Sequence, residues 1–216
     1  MSLRRTVVIL AVGVAVASAG LILTRHMIAV AGEMDAGKLN RSILEYIAQK
    51  NPRAPIGAFQ RFPEVLMAEA QRTNIDHCLA LAQAEVESEF KQDAVGAAGE
   101  IGIFQIKPST AALFEPLAGP FKRPVLVGTN KDLGDLADPV VSTRFAMAYL
   151  RDIMTRKSNV KDALTEYNGG PGGRHPHYYR MVMGTYVEVL ERQELRCRFR
   201  ETPKPMPTLT TLLSRA

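Results

Sequence analysis

The chain has 216 residues, enough for one ordinary domain with a real core plus appendages. Its net charge of +5 and pI near 9.3 suit an anionic partner, but charge does not choose among nucleic acid, lipid and cell wall. No basic motif interleaved with aromatics supports the first of these.

Taken in order, residues 1–24 read as a membrane-targeting segment. Arg4 and Arg5 precede an uncharged, mostly apolar run from Val7 to Leu23, and Arg25 and His26 close it. With Thr6 and Thr24 the run gives about 28 Å of helix, close to a ~30 Å hydrocarbon core. The leading arginines place the N-terminus in the cytoplasm and the rest outside. A transmembrane anchor is the first reading. A cleaved signal peptide is the alternative, since Ala17-Ser18-Ala19 and Ala29-Val30-Ala31 are small-residue sites. Both readings export the remainder.

Residues 32–60 are polar and carry Pro52, Pro55 and Gly57, and the segment 25–61 reads as a tether or N-terminal extension with a short helical piece around Ile43 to Ala48. Pro63 fits the first position of a helix that continues to about Thr73. The next helix opens at Ile75 and Asp76, whose carboxylate can accept from free amides of the first turn. Cys78, Ala82, Val86 and Phe90 recur every fourth residue as an apolar ridge. Near its end stand three glutamates. At about 100° per residue, Glu85 and Glu89 share a face and Glu87 points roughly 160° away.

A loop with glycines at 96, 99 and 102 follows, where positive φ or close backbone approach is expected. A short helix starts at Pro108. Residues 116–134, rich in Pro and Gly, form a long surface loop or flap. Helical signals return at Asp138-Pro139, with Val141, Phe145, Ala148, Tyr149 and Ile153 on one apolar face. Further helices cover about Val160 to Tyr167 and Tyr178 to Gln193, separated by the non-helical Asn168 to Gly173. No run of alternating strands occurs, so the class is mainly α. From Arg196 the tail, with Pro203, Pro205 and Pro207, reads as disordered. Cys78 reads as a core residue, and a disulfide to Cys197 is the less favoured alternative.

Five motifs stand in order along this scaffold. Glu87-Ser88-Glu89-Phe90 is followed by Gly99-Glu100-Ile101-Gly102-Ile103-Phe104-Gln105-Ile106-Lys107-Pro108. Asp138-Pro139 with Ala148-Tyr149-Leu150 comes next, then Ala163-Leu164-Thr165-Glu166-Tyr167-Asn168-Gly169-Gly170-Pro171-Gly172, and Thr185-Tyr186-Val187 closes the series. Glu-Ser alone carries almost no information, but the blocks at this spacing do. They resemble the lytic transglycosylases with the goose-lysozyme-like fold, the SLT domain, over about residues 62–192. Glu100 stands where that family commonly has Ala, Gly96 where Ser is usual, and the flap is long.

The resemblance implies a compact lysozyme-like helical domain over residues 62–195, between the tether and the tail. It implies cleavage of the β-1,4 bond between N-acetylmuramic acid and N-acetylglucosamine in peptidoglycan. The substrate's N-acetyl group would stabilise C1, and its C6 hydroxyl would close a 1,6-anhydro ring. Glu87 would act as acid and then base, and Ser88, Gln105, Tyr167, Asn168 and Tyr186 would contact substrate. The chemistry of Glu87 needs a carboxyl pKa well above ~4.3, which desolvation on the less charged side of its helix provides. Trp is absent, so a sugar cleft here relies on Tyr and Phe.

No cofactor or metal is expected. His175 and His177 flank Pro176 without a third ligand spaced to join them, and Gly169 to Gly173 lacks the Lys-Ser/Thr of a phosphate loop. The expected partners are peptidoglycan strands and, through residues 1–24, the inner membrane, with no nucleic acid. A secretion or conjugation apparatus is a further expected partner. The expected location is the periplasmic face of the bacterial inner membrane, or the periplasm if the segment is cleaved. A hydrolytic muramidase and a weakly active wall-binding component of a secretion system are the alternatives.

Overall fold

The structure, a computed structural model, describes residues 34–127, 130–173 and 175–197. The expected anchor over 1–24 lies outside these residues, as does the tail beyond Cys197. Among the described residues no helix is long and apolar enough to cross a membrane.

Residues 34–50 are helical (α1). The chain divides into two compact units, Met1–Arg41 and Ser42–Ala216. The second contains α2 (Phe62–Thr73), α3 (His77–Ser88), α4 (Pro108–Ala118), α5 (Pro139–Arg156), α6 (Val160–Gly169) and α7 (Pro176–Leu190). Three of the helix starts follow directly from local chemistry. Asp76 accepts from the Cys78 amide, Asp138 from the Val140 amide, and Asn159 from the Asp162 amide. Each supplies one of the acceptors that a helix N-terminus lacks. Pro63, Pro108, Pro139 and Pro176 occupy first-turn positions, where a missing N–H costs nothing.

The apolar periodicity finds its partners in two layers. α3 packs along α7, α2 along α5, and α4 and α6 against α5. α3 is the central element: every residue from His77 to Ala84 is buried, so the ridge Cys78–Ala82 is only part of a helix enclosed on all sides. A helix so enclosed has little freedom to rotate, which fixes the direction of its last turn.

The sequence expectations fail at two boundaries. Residues 42–61 are part of the compact domain and not a tether, because Ile43, Tyr46, Ile47 and Phe59 are buried in it. Ile43, Tyr46 and Ile47, three and four residues apart, form the buried face of the helix expected around Ile43 to Ala48. The flap contains a small antiparallel hairpin, β1 (Val125–Val127) with β2 (Asn130–Asp132), Val125 opposite Asp132. Three-residue strands are too short to show alternation.

The tail is also anchored at its start. Cys197 is disulfide-bonded to Cys78 with a Cα–Cα distance of 5.5 Å, across 119 residues of sequence. The His77 ring nitrogen Nε2 lies 2.8 Å from the Leu195 carbonyl oxygen, so two contacts tie the chain after α7 to the first turn of α3.

Candidate active site

Glu87 occupies the last turn of α3. The helix stops abruptly beyond it: Glu89 and Phe90 both take positive φ, 52° and 57°, and the Glu89 amide returns to the Glu85 carbonyl. Phe90 is fully buried and packs edge-on to Tyr46 at 6.0 Å, which holds this unusual turn in place.

The three glutamates have separate fates. Glu85 accepts from the Tyr46 hydroxyl and pairs with Lys50 at 2.7 Å. Glu89 has left the helix and pairs with Lys91 at the surface, so the shared face expected for Glu85 and Glu89 does not exist. Glu87 alone faces a cleft of about 490 Å³. Burial raises its pKa to about 7, the Tyr178 hydrogen bond opposes the rise, and the charge of Glu100 adds to it. The Tyr178 hydroxyl donates to Glu87 at 2.6 Å. Burial raises the Tyr178 pKa well above its usual value, so that hydroxyl keeps the proton it donates.

The glycine loop builds the opposite wall. Gly99 and Gly102 have φ of 82° and 80°. At Gly102 a Cβ would lie 2.1 Å from the Leu136 carbonyl oxygen, so the loop presses against the turn Gly134–Ala137 with no room for a side chain. Ile101, Ile103, Phe104 and Ile106 are buried beneath the loop, and mutual hydrogen bonds join Ile101 and Ile106. Gln105, itself at φ 47°, donates its side-chain amide to the Ala94 and Gly102 carbonyls. That answers the desolvation cost of an amide in an apolar run.

The cleft brings together Glu87, Gln105, Tyr167 and Asn168. Tyr167 is nearly buried and donates to the Phe104 carbonyl at 3.0 Å, so the end of α6 is hydrogen-bonded to the loop. Two other expected contact residues lie elsewhere. Ser88 is buried, and its hydroxyl donates to the Ile103 carbonyl at 3.0 Å and the Ala84 carbonyl at 3.2 Å. It fastens the end of α3 to the loop. Tyr186 does not reach the cleft, because its hydroxyl is bonded to Asp76 at 2.7 Å, at the far end of α3.

Sequence reasoning missed Tyr178, Tyr149, Lys107 and Thr110, the last three of which line the cleft. Tyr178, Val182, Tyr186 and Val189 form one buried stripe of α7, and periodicity reads such a stripe as core. Tyr149 was placed on the apolar face of α5. It stands with its ring 5.1 Å from that of Tyr167. Of the described His, Cys, Asp and Glu side chains, Asp76, His77 and Cys78 cluster tightly enough to consider a metal. The Cys78 sulfur is already in the disulfide.

A half-buried acid at a helix end, faced by a glycine loop and an aromatic wall, is an arrangement suited to proton transfer to a molecule in the cleft. Similar solved structures include the lytic transglycosylase Slt of Pseudomonas aeruginosa, an inactive glutamate-to-glutamine mutant. It is 22% identical, covers 74% of this chain and 30% of its own, and has a TM-score of 0.50. The 70 kDa soluble lytic transglycosylase of Escherichia coli is 22% identical, with 64% and 23% covered and a TM-score of 0.42. A complex of the 70 kDa soluble lytic transglycosylase with bulgecin A is 21% identical, with the same coverage and a TM-score of 0.41. The chain thus spans less than a third of the length of these proteins, and the first of them shares its fold. The model of the Transglycosylase SLT domain matches residues 64–177, more than half of the chain and the whole segment from α2 to the start of α7. By that match the chain belongs to the Transglycosylase SLT domain family.

Proposed function

We propose that this protein is a peptidoglycan lytic transglycosylase that cleaves the β-1,4 bond between N-acetylmuramic acid and N-acetylglucosamine and leaves a 1,6-anhydro end. The observation that carries this reading is Glu87, an acid with a pKa of about 7 at the wall of a sugar-sized cleft. Protonated Glu87 delivers its proton to the departing glycosidic oxygen, which is otherwise a poor leaving group. The resulting carboxylate then takes the proton of the C6 hydroxyl as that oxygen closes on C1. One group serves both steps because its pKa lies near the working pH. Tyr178 holds Glu87 in place throughout.

One observation favours a hydrolytic muramidase as the second reading. Glu100, a carboxylate, lines the same cleft, and glycosidases of the two-carboxylate type use such a group to activate water. Mass spectrometry of the fragments released from peptidoglycan by the purified protein separates the two. The proposal expects 1,6-anhydro ends only, unchanged when Glu100→Ala is assayed. Reducing ends, lost in Glu100→Ala, would make the protein a hydrolase.

We further propose that the domain works outside the cytoplasm, at the periplasmic face of the inner membrane. The Cys78–Cys197 disulfide supports this, since such bonds persist in oxidising compartments. Service to a secretion or conjugation apparatus belongs to the same proposal. It is tested by whether the purified protein is retained by the components of such a machine.

A further inference from the structure

Three features of the glycine loop belong together. The Glu100 carboxylate accepts from the Ala98 amide at 3.0 Å and lies 3.4 Å from the Lys107 ammonium. A Cβ at Gly96 would come within 2.4 Å of the same carboxylate and 2.7 Å of the Gln105 side-chain oxygen. Gly96 therefore leaves the space that the Glu100 side chain fills. Burial acts to raise the Glu100 pKa, but the Glu100 and Ala98 amides and Lys107 outweigh it and hold the group ionised. Glu100 is a fixed anion whose long ion pair carries Lys107 to the cleft wall.

Among the described residues lining that cleft, Lys107 is the only cation. Its side chain stays 47% exposed despite the pair, and Thr110, one turn into α4, lines the cleft beside it. An ammonium whose ion pair among the described residues is one carboxylate at 3.4 Å is suited to a second anion. The proposed substrate supplies one, because alternate sugars bear a carboxylate, either on the lactyl ether or on the peptide stem attached to it.

Resting on the reading of this cleft as a peptidoglycan site, we propose that Lys107, presented by Glu100, recognises a carboxylate on the bound glycan and selects acidic strands over neutral ones. The ammonium donates to the carboxylate and keeps its contact with Glu100. An Arg at this position preserves the charge, whereas a Gln preserves only hydrogen bonding.

The test measures binding, so that it does not depend on turnover. The full chain carrying Glu87→Gln is titrated by calorimetry with peptide-free strands, whose lactyl carboxylates are free, and with stem-bearing strands. Each is compared with the same strands after amidation of their carboxylates. Adding Lys107→Gln is expected to reduce the preference for free over amidated strands about tenfold, equivalent to ~1.4 kcal/mol, in one of the two series. That series identifies the lactyl or the stem carboxylate as the ligand. Lys107→Arg is expected to keep the preference. An equal preference with and without Lys107→Gln in both series, or no preference at the outset, overturns the inference. If the wild-type chain releases no fragments from peptidoglycan while this preference depends on Lys107, the catalytic reading fails and the binding inference stands.

Discussion

At the scale of single residues the site depends on where one proton sits. Glu87→Gln keeps shape and removes that proton, so turnover should fall by about 10²–10⁴-fold. Glu85→Gln loses its Lys50 partner and Glu89→Gln its Lys91 partner; both should keep most turnover, because neither side chain faces the cleft. Activity of the wild type should decline as pH rises through about 7, where Glu87 ionises. The same shift makes stability fall with pH as well. The folded pKa lies above the ordinary 4.5, so the folded state binds the proton more tightly and loses stability as pH rises from about 4.5 to 7. Glu87→Gln should therefore melt higher than wild type at pH 8, by an amount approaching ~3 kcal/mol, with the gap closing by pH 4. Equal melting at both pH values would mean that Glu87 is well solvated. Tyr178→Phe removes a hydrogen bond that lowers the Glu87 pKa, so the alkaline limb of the rate profile should move to higher pH. An unmoved limb would show that the contact does not persist in the working enzyme. The place of Glu87 at the cleft was legible in the sequence, because motif spacing and helix phase both single it out. The contact of Tyr178 with Glu87 was not, because Tyr178 lies on the same buried stripe as Val182 and Val189, and periodicity does not register a hydroxyl.

Among elements, the glycine loop shows how backbone rules become a wall. Gly99 and Gly102 have nearly the same positive φ, yet their surroundings differ. No atom lies near the Cβ position at Gly99, whereas a backbone carbonyl of Leu136 blocks it at Gly102. Gly99→Ala should cost about 1–2 kcal/mol for left-handed backbone alone. Gly102→Ala should cost roughly 3 kcal/mol or more, with about 1–3 added for overpacking against an atom that belongs to another element. Chemical denaturation of the two variants checks the difference. Similar costs would mean that the turn Gly134–Ala137 yields easily. Sequence predicted the helices well wherever a start signal and an apolar period coincided, as at Asp76 and Asp138. It also found the helix around Ile43 to Ala48, but not that residues 42–61 join the compact unit, because two prolines and a polar stretch follow that helix. It failed again in the flap, whose strands are shorter than a period can reveal. Tyr186 was assigned to the cleft by a motif pair, but its place one stripe position after Val182 carries it to Asp76.

For the whole molecule the decisive question is compartment, and the disulfide gives it a physical handle. Closing a loop of about 119 residues removes denatured-state entropy worth up to roughly 5 kcal/mol, a large share of the stability of a domain this size. It does so at the first turn of α3, the helix that carries Glu87 at its other end. A reducing compartment would forfeit that contribution, so targeting and stability are linked. A reporter active only outside the cytoplasm, fused after residue 31, should be active, and deletion of residues 1–24 should retain the chain inside. The retained chain should expose two alkylatable thiols on denaturation and melt lower than the exported form, and mild reductant should lower the exported form to the same value. An N-terminus at Gly20 or Gly32 in soluble material would identify a cleaved signal, whereas resistance to high-salt extraction with Arg4 and Arg5 retained would identify an anchor. Should the exported, unreduced protein carry free thiols at Cys78 and Cys197, the bond does not form in the compartment where the domain works, and the link between export and stability is lost.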